Sequence, residues 1–254
     1  TWHPGNVLPD KVIKYFKGRC ISEETLRRND IQYQHEIYFP QVKEKLPAIR
    51  FPYKRNNEVV NIKSRSAEKH FRQEKDAEKI FYGLDGINKN DTTLIITEGE
   101  IDKLSFDEID YAFVISVPDG APAPGTKNFQ SKFDYLENCK SEIEHITDFI
   151  LAVDNDPAGL TLEYELARRL GFEKCFSVTY PEGCKDPNEV LVKYGKEGLK
   201  QLVGSAKSFP VIGVNGVIDL QKEVLNLYQN GFASVYTTGW SSVDEFYKVR
   251  PGEM

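Results

Sequence analysis

Near the middle of the chain the stretch "LAVDNDPAG", residues 151–159, ends an apolar run from Phe149 to Val153 in two aspartates, Asp154 and Asp156, one residue apart. Two like charges at the end of a buried strand call for a partner. Other acids share this setting: "TEGEID" puts Glu98 at the end of a second apolar run with Asp102 one helical turn further on, and "KDPNE" puts Asp186 after another. Carboxylates gathered at one sheet edge repel one another, and some of their pKa values rise. A hard divalent cation removes the repulsion, and magnesium binds through a few carboxylates while keeping water and substrate phosphates. Any one of these acids alone reads as a helix cap or a surface residue. Three at strand ends in one sheet point to a metal site.

Such a site needs strands that run the same way. Between about Asp91 and Ser208 four apolar runs, "TTLIITEG", "AFVISVPDG", "DFILAVDND" and "CFSVTYPEG", end in acids, Gly or Pro. The longer segments between them include helical spacing at Leu160, Tyr164, Ala167 and Leu170. Strand alternating with helix predicts a mostly parallel sheet under crossover helices, with function at the carboxyl ends of the strands. Residues 1–90 follow another pattern. A short helix is expected over Asp10–Lys17 and a second after Ser22, which can cap it. "AIRFPYK" and "EVVNIKSR" then form a hairpin turned at "RNN", whose asparagines tolerate positive φ. Residues 209–254 begin as a Gly- and Pro-punctuated linker and continue as a helix with Val217, Leu220, Val224 and Leu227 on one apolar stripe. That stripe either packs on the core or docks on another subunit. The predicted architecture is an α+β amino-terminal subdomain, an α/β domain over 91–208, and a linker helix.

The net charge of -6 conceals a gradient. Val42 to Lys79 holds 11 Lys and Arg against six acids, a local +5 that leaves -11 for the remainder. In "VVNIKSRSAEKHF" strand alternation puts Lys63 and Arg65 on one face, with Lys69 and His70 near the following turn. This is a cationic patch suited to a triphosphate or a template backbone; the alternatives are a solvated face or an edge strand protected by lysines. The four cysteines form no CxxC pair, which argues against a zinc ribbon and against a disulfide framework, so no zinc is expected here. No run of 18 apolar residues is present, so no membrane partner is expected. The chain opens without Met or an apolar signal-like segment and reads as a piece of something longer.

Glu98-Gly99 after one apolar strand, Asp154-x-Asp156 after another, and the later Lys185-Asp186-x-Asn188 resemble the TOPRIM domain shared by bacterial-type primases, topoisomerases and some nucleases. A closer resemblance is to the primase half of bifunctional primase-helicases of the phage T7 type and their plant organellar relatives, often called Twinkle. "ISEETLRRNDI" and "KIFYGLDGI" resemble the primase-core segments before the TOPRIM unit, "VISVPDGAPA", "ARRLGFEKCF" and "DPNEVL" segments within it, and "TTGWSSVDEFYKVRPGEM" the start of the RecA-like helicase domain.

The resemblance implies an amino-terminal basic primase subdomain (1–90), a TOPRIM catalytic domain (91–208), and a linker helix with the start of a helicase domain (209–254). It implies that Glu98, Asp154 and Asp156 are catalytic and hold Mg2+, or Mn2+ in its place, with Asp186 and Asp102 in supporting positions, and that Glu98 can serve as general base. Lys63, Arg65, Lys69 and Lys185 would meet nucleotide or template. The activity implied is synthesis of short RNA primers from ribonucleoside triphosphates on single-stranded DNA. The implied partners are a helicase domain of the same polypeptide and a hexamer or related ring in the full-length protein. ATPase activity is not expected from these residues, and no zinc-binding domain for template recognition is among them. The implied setting is an organelle nucleoid, or the cytoplasm of a phage-infected bacterium. The competing readings are a TOPRIM nuclease and a non-catalytic DNA-binding arm of a ring helicase; a topoisomerase lacks a recognisable tyrosine nucleophile.

Overall fold

A computed structural model describes residues 7–122, 130–209, 217–230 and 236–246. The first two helices form where capping and spacing place them. α1 (Asp10–Lys17) follows Pro9, and α2 (Glu23–Arg28) is capped by Ser22, whose hydroxyl accepts the Thr25 amide. Four antiparallel strands come next, β1 (Gln32–Phe39), β2 (Glu44–Arg55), β3 (Glu58–Ser66) and β4 (Phe71–Gln73), in that spatial order. Asn56 and Asn57 turn the β2–β3 hairpin with φ of 54° and 64°, and the Asp85 carboxylate accepts both their amides at 2.8 and 2.7 Å. β3 pairs with β2 on one side and β4 on the other, so Lys63 and Arg65 sit on an interior strand and the edge-strand alternative falls.

The second layer comprises β5 (Thr93–Thr97), α3 (Glu100–Asp107), β6 (Val114–Ser116), α4 (Asp134–Asn138), α5 (Lys140–Ile143), β7 (Asp148–Ala152), α6 (Pro157–Leu170), β8 (Cys175–Ser177), α7 (Pro187–Gly204) and β9 (Lys207–Ser208). Its strand order is β6-β5-β7-β8-β9, parallel except for β9, which runs antiparallel to β8. The chain lays β6 on one side of β5 and β7 on the other, so the order reverses between β5 and β7. A crevice opens at the carboxyl ends of strands at such a reversal. Thr97 lies opposite Ala152, and the residues just beyond, Glu98 on one strand and Val153 with Asp154 on the other, leave the sheet side by side.

Burial on both faces explains why these strands are continuous apolar runs. Leu94, Ile96, Phe149 and Leu151 face a cluster that includes Leu162 and Leu166 of α6 together with Phe51 and Tyr53 of the antiparallel sheet. Ile95 and Ile150 face the opposite way, onto Phe106 of α3 and Val190, Leu191 and Leu199 of α7. One apolar cluster therefore spans both sheets, and the first compact unit of the chain reaches Phe209.

α6 departs in part from its expected stripe. Ala167 is buried and Leu170 packs against the core as expected, whereas Leu160 and Tyr164 are exposed and Gly159, Leu162 and Leu166 are buried in their place. The buried row is set by Gly159, which lies against the strand end. A Cβ on it would fall 1.9 Å from the Asp154 carbonyl oxygen. Tyr164 instead packs on the Phe172 ring, 5.6 Å between centroids.

A second unit starts at Pro210 and holds α8 (Val217–Asn230) and α9 (Ser241–Asp244). α8 is the expected helix, and its stripe residues Leu220, Val224 and Leu227 are exposed. The linker before it and the Val217 side chain lie outside the described residues. Among the described residues no helix is long and apolar enough to cross a membrane.

The contact at Gly159 gives a direct test of the strand-to-helix turn. Gly159→Ala must displace backbone, and it is expected to destabilise the protein by about 2 kcal/mol or more, the scale of a steric clash in a packed interior. Denaturant unfolding measures this, and an unchanged midpoint would show that α6 does not seat against Asp154 as described.

Candidate active site

Glu98 leaves β5 into a half-buried position. Its Oε1 accepts the Ala121 amide at 3.2 Å, delivered by the loop after β6, where Gly120 takes a φ of 66°. Its Oε2 is buried with no hydrogen-bond partner. Burial pushes the Glu98 pKa up, the Ala121 and Asp154 amides pull it back, and the Asp156 charge pushes it up again.

Asp102 follows in the first turn of α3, nearly fully buried, with Oδ1 accepting the Asn188 amide at 3.2 Å. Burial raises its pKa well above the usual carboxylate range, and Asp186 and Asp154 add to the rise. Asn188 is the hub behind it. Its amide group donates to the Arg19 carbonyl at 3.0 Å and the Ser105 hydroxyl at 2.9 Å, and its Oδ1 accepts from Arg19 at 2.7 Å. This ties α7, α3 and the loop after α1 together directly beneath the acids.

The two aspartates of "DND" have different duties. Asp154 is the acid at the strand end, its pKa pushed up to about 7 by burial and then by the Glu98 and Asp186 charges. Asp156 caps α6, its Oδ1 accepting the Ala158 and Gly159 amides at 2.9 Å each, with Pro157 opening the helix. That commitment leaves its second oxygen for any ligand. Asp186 caps α7 in the same manner, accepting the Glu189 amide at 2.7 Å, and burial raises its pKa. The Asn155 amide donates to the Lys185 carbonyl at 2.7 Å, which joins the two capping loops. The Lys185 ammonium stands 3.8 Å from Asp154 Oδ2 at an exposed position.

Glu98, Asp102 and Asp154 line a cleft of about 800 Å3, and Asp119, Gly120 and Ala121 lie on the same side. The facing wall comes from the antiparallel sheet and the segment after it: Lys63, Phe71, Arg72, Gln73 and Lys79, with Glu74, Asp76 and Ala77 between them. Lys63 is buried there and paired with Glu100 at 2.7 Å. Arg65, also buried, donates to the Tyr15 hydroxyl at 2.8 Å and is not among the lining residues. Lys69 is exposed in the β3–β4 turn at a φ of 64°. The two walls are held in register by Gln73, whose amide donates to Asp119 at 2.7 Å and the Pro118 carbonyl at 3.2 Å, while Lys79 pairs with Asp119 at 3.1 Å.

Sequence reasoning did not single out Glu100, Tyr53, Arg72, Lys79 or Asp119. Glu100 stands in "TEGEID" at the first helical position, where an acid ordinarily serves the helix dipole; nothing local marks it as an ion-pair partner across two sheets. Proximity of Arg72 and Lys79 to the acids is equally a product of packing.

The donors fit a hard divalent cation: all are carboxylates, they raise one another's pKa values, and Glu98 presents a buried oxygen without a partner. Among the described residues no three His, Cys, Asp or Glu side chains are gathered into a ready cage. Magnesium does not require one, since it binds through one or two carboxylates and completes its octahedron with water and phosphate oxygens.

Residues 95–191, from within β5 to the second turn of α7, match the Toprim-like family. The chain is 35% identical to the Twinkle homolog protein, chloroplastic/mitochondrial, of Arabidopsis thaliana, an alignment covering 97% of this chain and 36% of that protein. It is 37% identical to the primase homolog protein of the same plant, covering 80% of this chain and 61% of that one. The chain thus spans about a third of the first relative and under two thirds of the second. In fold it is similar to the primase fragment of the bacteriophage T7 primase-helicase protein, with a TM-score of 0.58 at 23% identity over 79% of this chain and 81% of that one. It is also similar to the zinc-binding and RNA polymerase domains of Aquifex aeolicus primase, with a TM-score of 0.60 at 16% identity over 87% of this chain and 60% of that one. The chain thus carries a Toprim-like segment at residues 95–191, is similar in sequence to the Twinkle homolog and primase homolog proteins of Arabidopsis thaliana, and shares the fold of the T7 and Aquifex aeolicus primase fragments.

Proposed function

We propose that this chain is the catalytic core of a DNA primase, joining ribonucleotides into short RNA primers on single-stranded DNA with Mg2+, or Mn2+ in its place. The observation that carries the reading is the shared cleft, in which Glu98, Asp102 and Asp154 stand opposite Lys63, Arg72 and Lys79. A triphosphate is a polyanion that needs both walls: cations for its phosphates and carboxylates for the ion it brings. Glu98 and Asp154 would hold the ion, with Asp156 contributing its free oxygen and Asp102 and Asp186 adding charge from behind. When bound, the ion lowers the pKa of the attacking 3'-hydroxyl and neutralises charge on the α-phosphate.

The protein's own groups do the rest. Glu98 would meet the ion through Oε2, the oxygen without a hydrogen-bond partner, and the hydroxyl proton would pass to solvent in the open cleft. Cations of the facing wall take up negative charge as pyrophosphate leaves. Lys185, beside Asp154 and exposed, is suited to phosphate at the rim, and Lys69 on its turn to template backbone. Arg65 serves the site indirectly, by fixing α1 to β3 through Tyr15.

Similarity to an organellar protein supports an organelle setting, with the nucleoid as the compartment where template is found. A helicase domain would belong to the same polypeptide, as in the primase-helicase whose primase fragment shares this fold. In such a polypeptide the exposed stripe of α8 would dock on an adjacent helicase domain to build a hexamer or related ring.

Incubation with single-stranded template, labelled ribonucleotides and Mg2+ or Mn2+ tests the activity. Short RNA products are expected, and Asp154→Ala or Asp156→Ala is expected to lower their yield by ~100-fold or more, the scale of losing a group that stabilises transition-state charge. DNA cutting without nucleotides would make the site a nuclease, and binding of single strands with neither reaction would make the chain a non-catalytic arm.

The burial of Asp154 and its repulsion by neighbouring carboxylates have their own signature. Because Asp154 titrates near 7 in the folded protein against an ordinary 3.8, the folded state keeps a proton that the unfolded chain releases, and stability falls as pH climbs between those values. Thermal unfolding of metal-free protein should show a lower Tm at pH 8 than at about pH 5 from this group, and added Mg2+ should recover the loss. Asp154→Asn should flatten the profile, exceed the wild type at pH 8 without metal, and lose most of the Mg2+ response; a variant less stable than wild type at pH 8 would contradict the repulsion.

A further inference from the structure

Lys63 poses an electrostatic problem for a cation site. Its flexible four-carbon stem carries an ammonium into the wall of the cleft that Glu98, Asp102 and Asp154 also line. A lysine left unpaired there would fold onto those carboxylates and take the place of an ion. The fold supplies it with a different partner. Lys63 Nζ lies 2.7 Å from Glu100 Oε1, and the same oxygen accepts the Tyr53 hydroxyl at 2.5 Å. Lys63, Glu100 and Tyr53 are 7%, 4% and 0% exposed, so water and salt screen the pair only from the cleft side. The ammonium also sits 5.3 Å from the Phe71 ring centroid, which favours the charge where it is.

The three side chains come from three elements, β2, β3 and the first residue of α3. An additional acid at a sheet edge already crowded with carboxylates makes the repulsion worse unless it has a task. Its single hydrogen-bonded oxygen faces a lysine, and its orientation is fixed by a tyrosine that belongs to the opposite sheet. Removing one partner of a buried ion pair leaves a charge that must find another. For Lys63 the other carboxylates of the cleft are the ones at hand.

We propose that Glu100, oriented by Tyr53, is a positioning residue that keeps Lys63 off Glu98, Asp102 and Asp154 and so leaves them open to a divalent cation. The inference rests on the reading of those acids as the metal site. Glu100 is not a ligand in this scheme; it acts through Lys63. The pair also keeps the ammonium in the cleft wall, where a phosphate can reach it.

Titration calorimetry with Mg2+, and with Mn2+ followed by electron paramagnetic resonance, reads metal binding without any turnover. Glu100→Gln is expected to weaken both ions about tenfold, the lower end of what loss of a supporting residue does to metal affinity. Tyr53→Phe removes one hydroxyl and is expected to weaken binding in the same direction by less. The double variant Lys63→Met with Glu100→Gln removes the competing ammonium and is expected to return to near wild-type affinity. Wild-type affinity in Glu100→Gln and Tyr53→Phe overturns the proposal, and so does a double variant as weak as Glu100→Gln, which would make Glu100 a ligand or a structural residue. Should Glu100→Gln fail to fold by circular dichroism, Tyr53→Phe and the double variant decide it. A wild-type protein whose metal binding is indifferent to Asp154→Ala would overturn the metal-site reading itself, a result distinct from failure of the Glu100 scheme.

Discussion

Burial of mutually repelling carboxylates at the reversal point of a parallel sheet is the constraint around which this structure is arranged. Glu98 and Asp154 reach the same crevice because β5 and β7 are neighbours in register, and Asp102 and Asp186 approach from the helices that follow. Burial and proximity raise all four carboxyl pKa values. Such an arrangement opposes folding and has to be held by packing and hydrogen bonds elsewhere. Asn188 supplies part of that support by tying its own helix α7 to α3 and to the loop after α1, and the helix caps at Asp156 and Asp186 supply another part by giving two of the charges backbone donors.

A second consequence is that the site belongs to two sheets. The carboxylates stand on the parallel one, and the cations opposite them stand on or just after the antiparallel one. Neither wall is a site alone. The shared apolar cluster containing Phe51, Tyr53, Leu94 and Leu151 fixes the distance between the walls. Polar ties through Gln73, Asp119 and Lys79, and through Tyr53, Glu100 and Lys63, fix their register. An apolar contact tolerates sliding, whereas a hydrogen bond of this geometry does not.

Local rules accounted for most of the elements because local physics decides them. Ser22 caps α2, two asparagines turn the hairpin, and the apolar runs became parallel strands buried on both faces. α6 shows where spacing misleads: Leu160 and Tyr164 satisfy a helical period, but the row that is buried is chosen by Gly159, whose lack of a side chain lets the helix approach the Asp154 carbonyl. Periodicity specifies that a stripe exists; only the neighbour specifies which one.

From sequence alone came the alternation of strand and helix, the acids at strand ends, and the residues Glu98, Asp102, Asp154, Asp156 and Asp186 as a group, because each is announced by an apolar run or a capping pattern within a few positions. The division of labour within that group did not. That Asp156 and Asp186 are caps while Asp154 faces Lys185 at the strand end, that Arg65 turns to Tyr15 while Lys63 enters the cleft, and that Glu100 meets Lys63 at all were decided by tertiary packing. The physical reason is range. A cap or a strand is fixed by interactions over a handful of residues, whereas the charge partner of a buried side chain is whichever group the folded core brings within a few ångströms, and Glu100 and Lys63 are 37 positions apart in the chain.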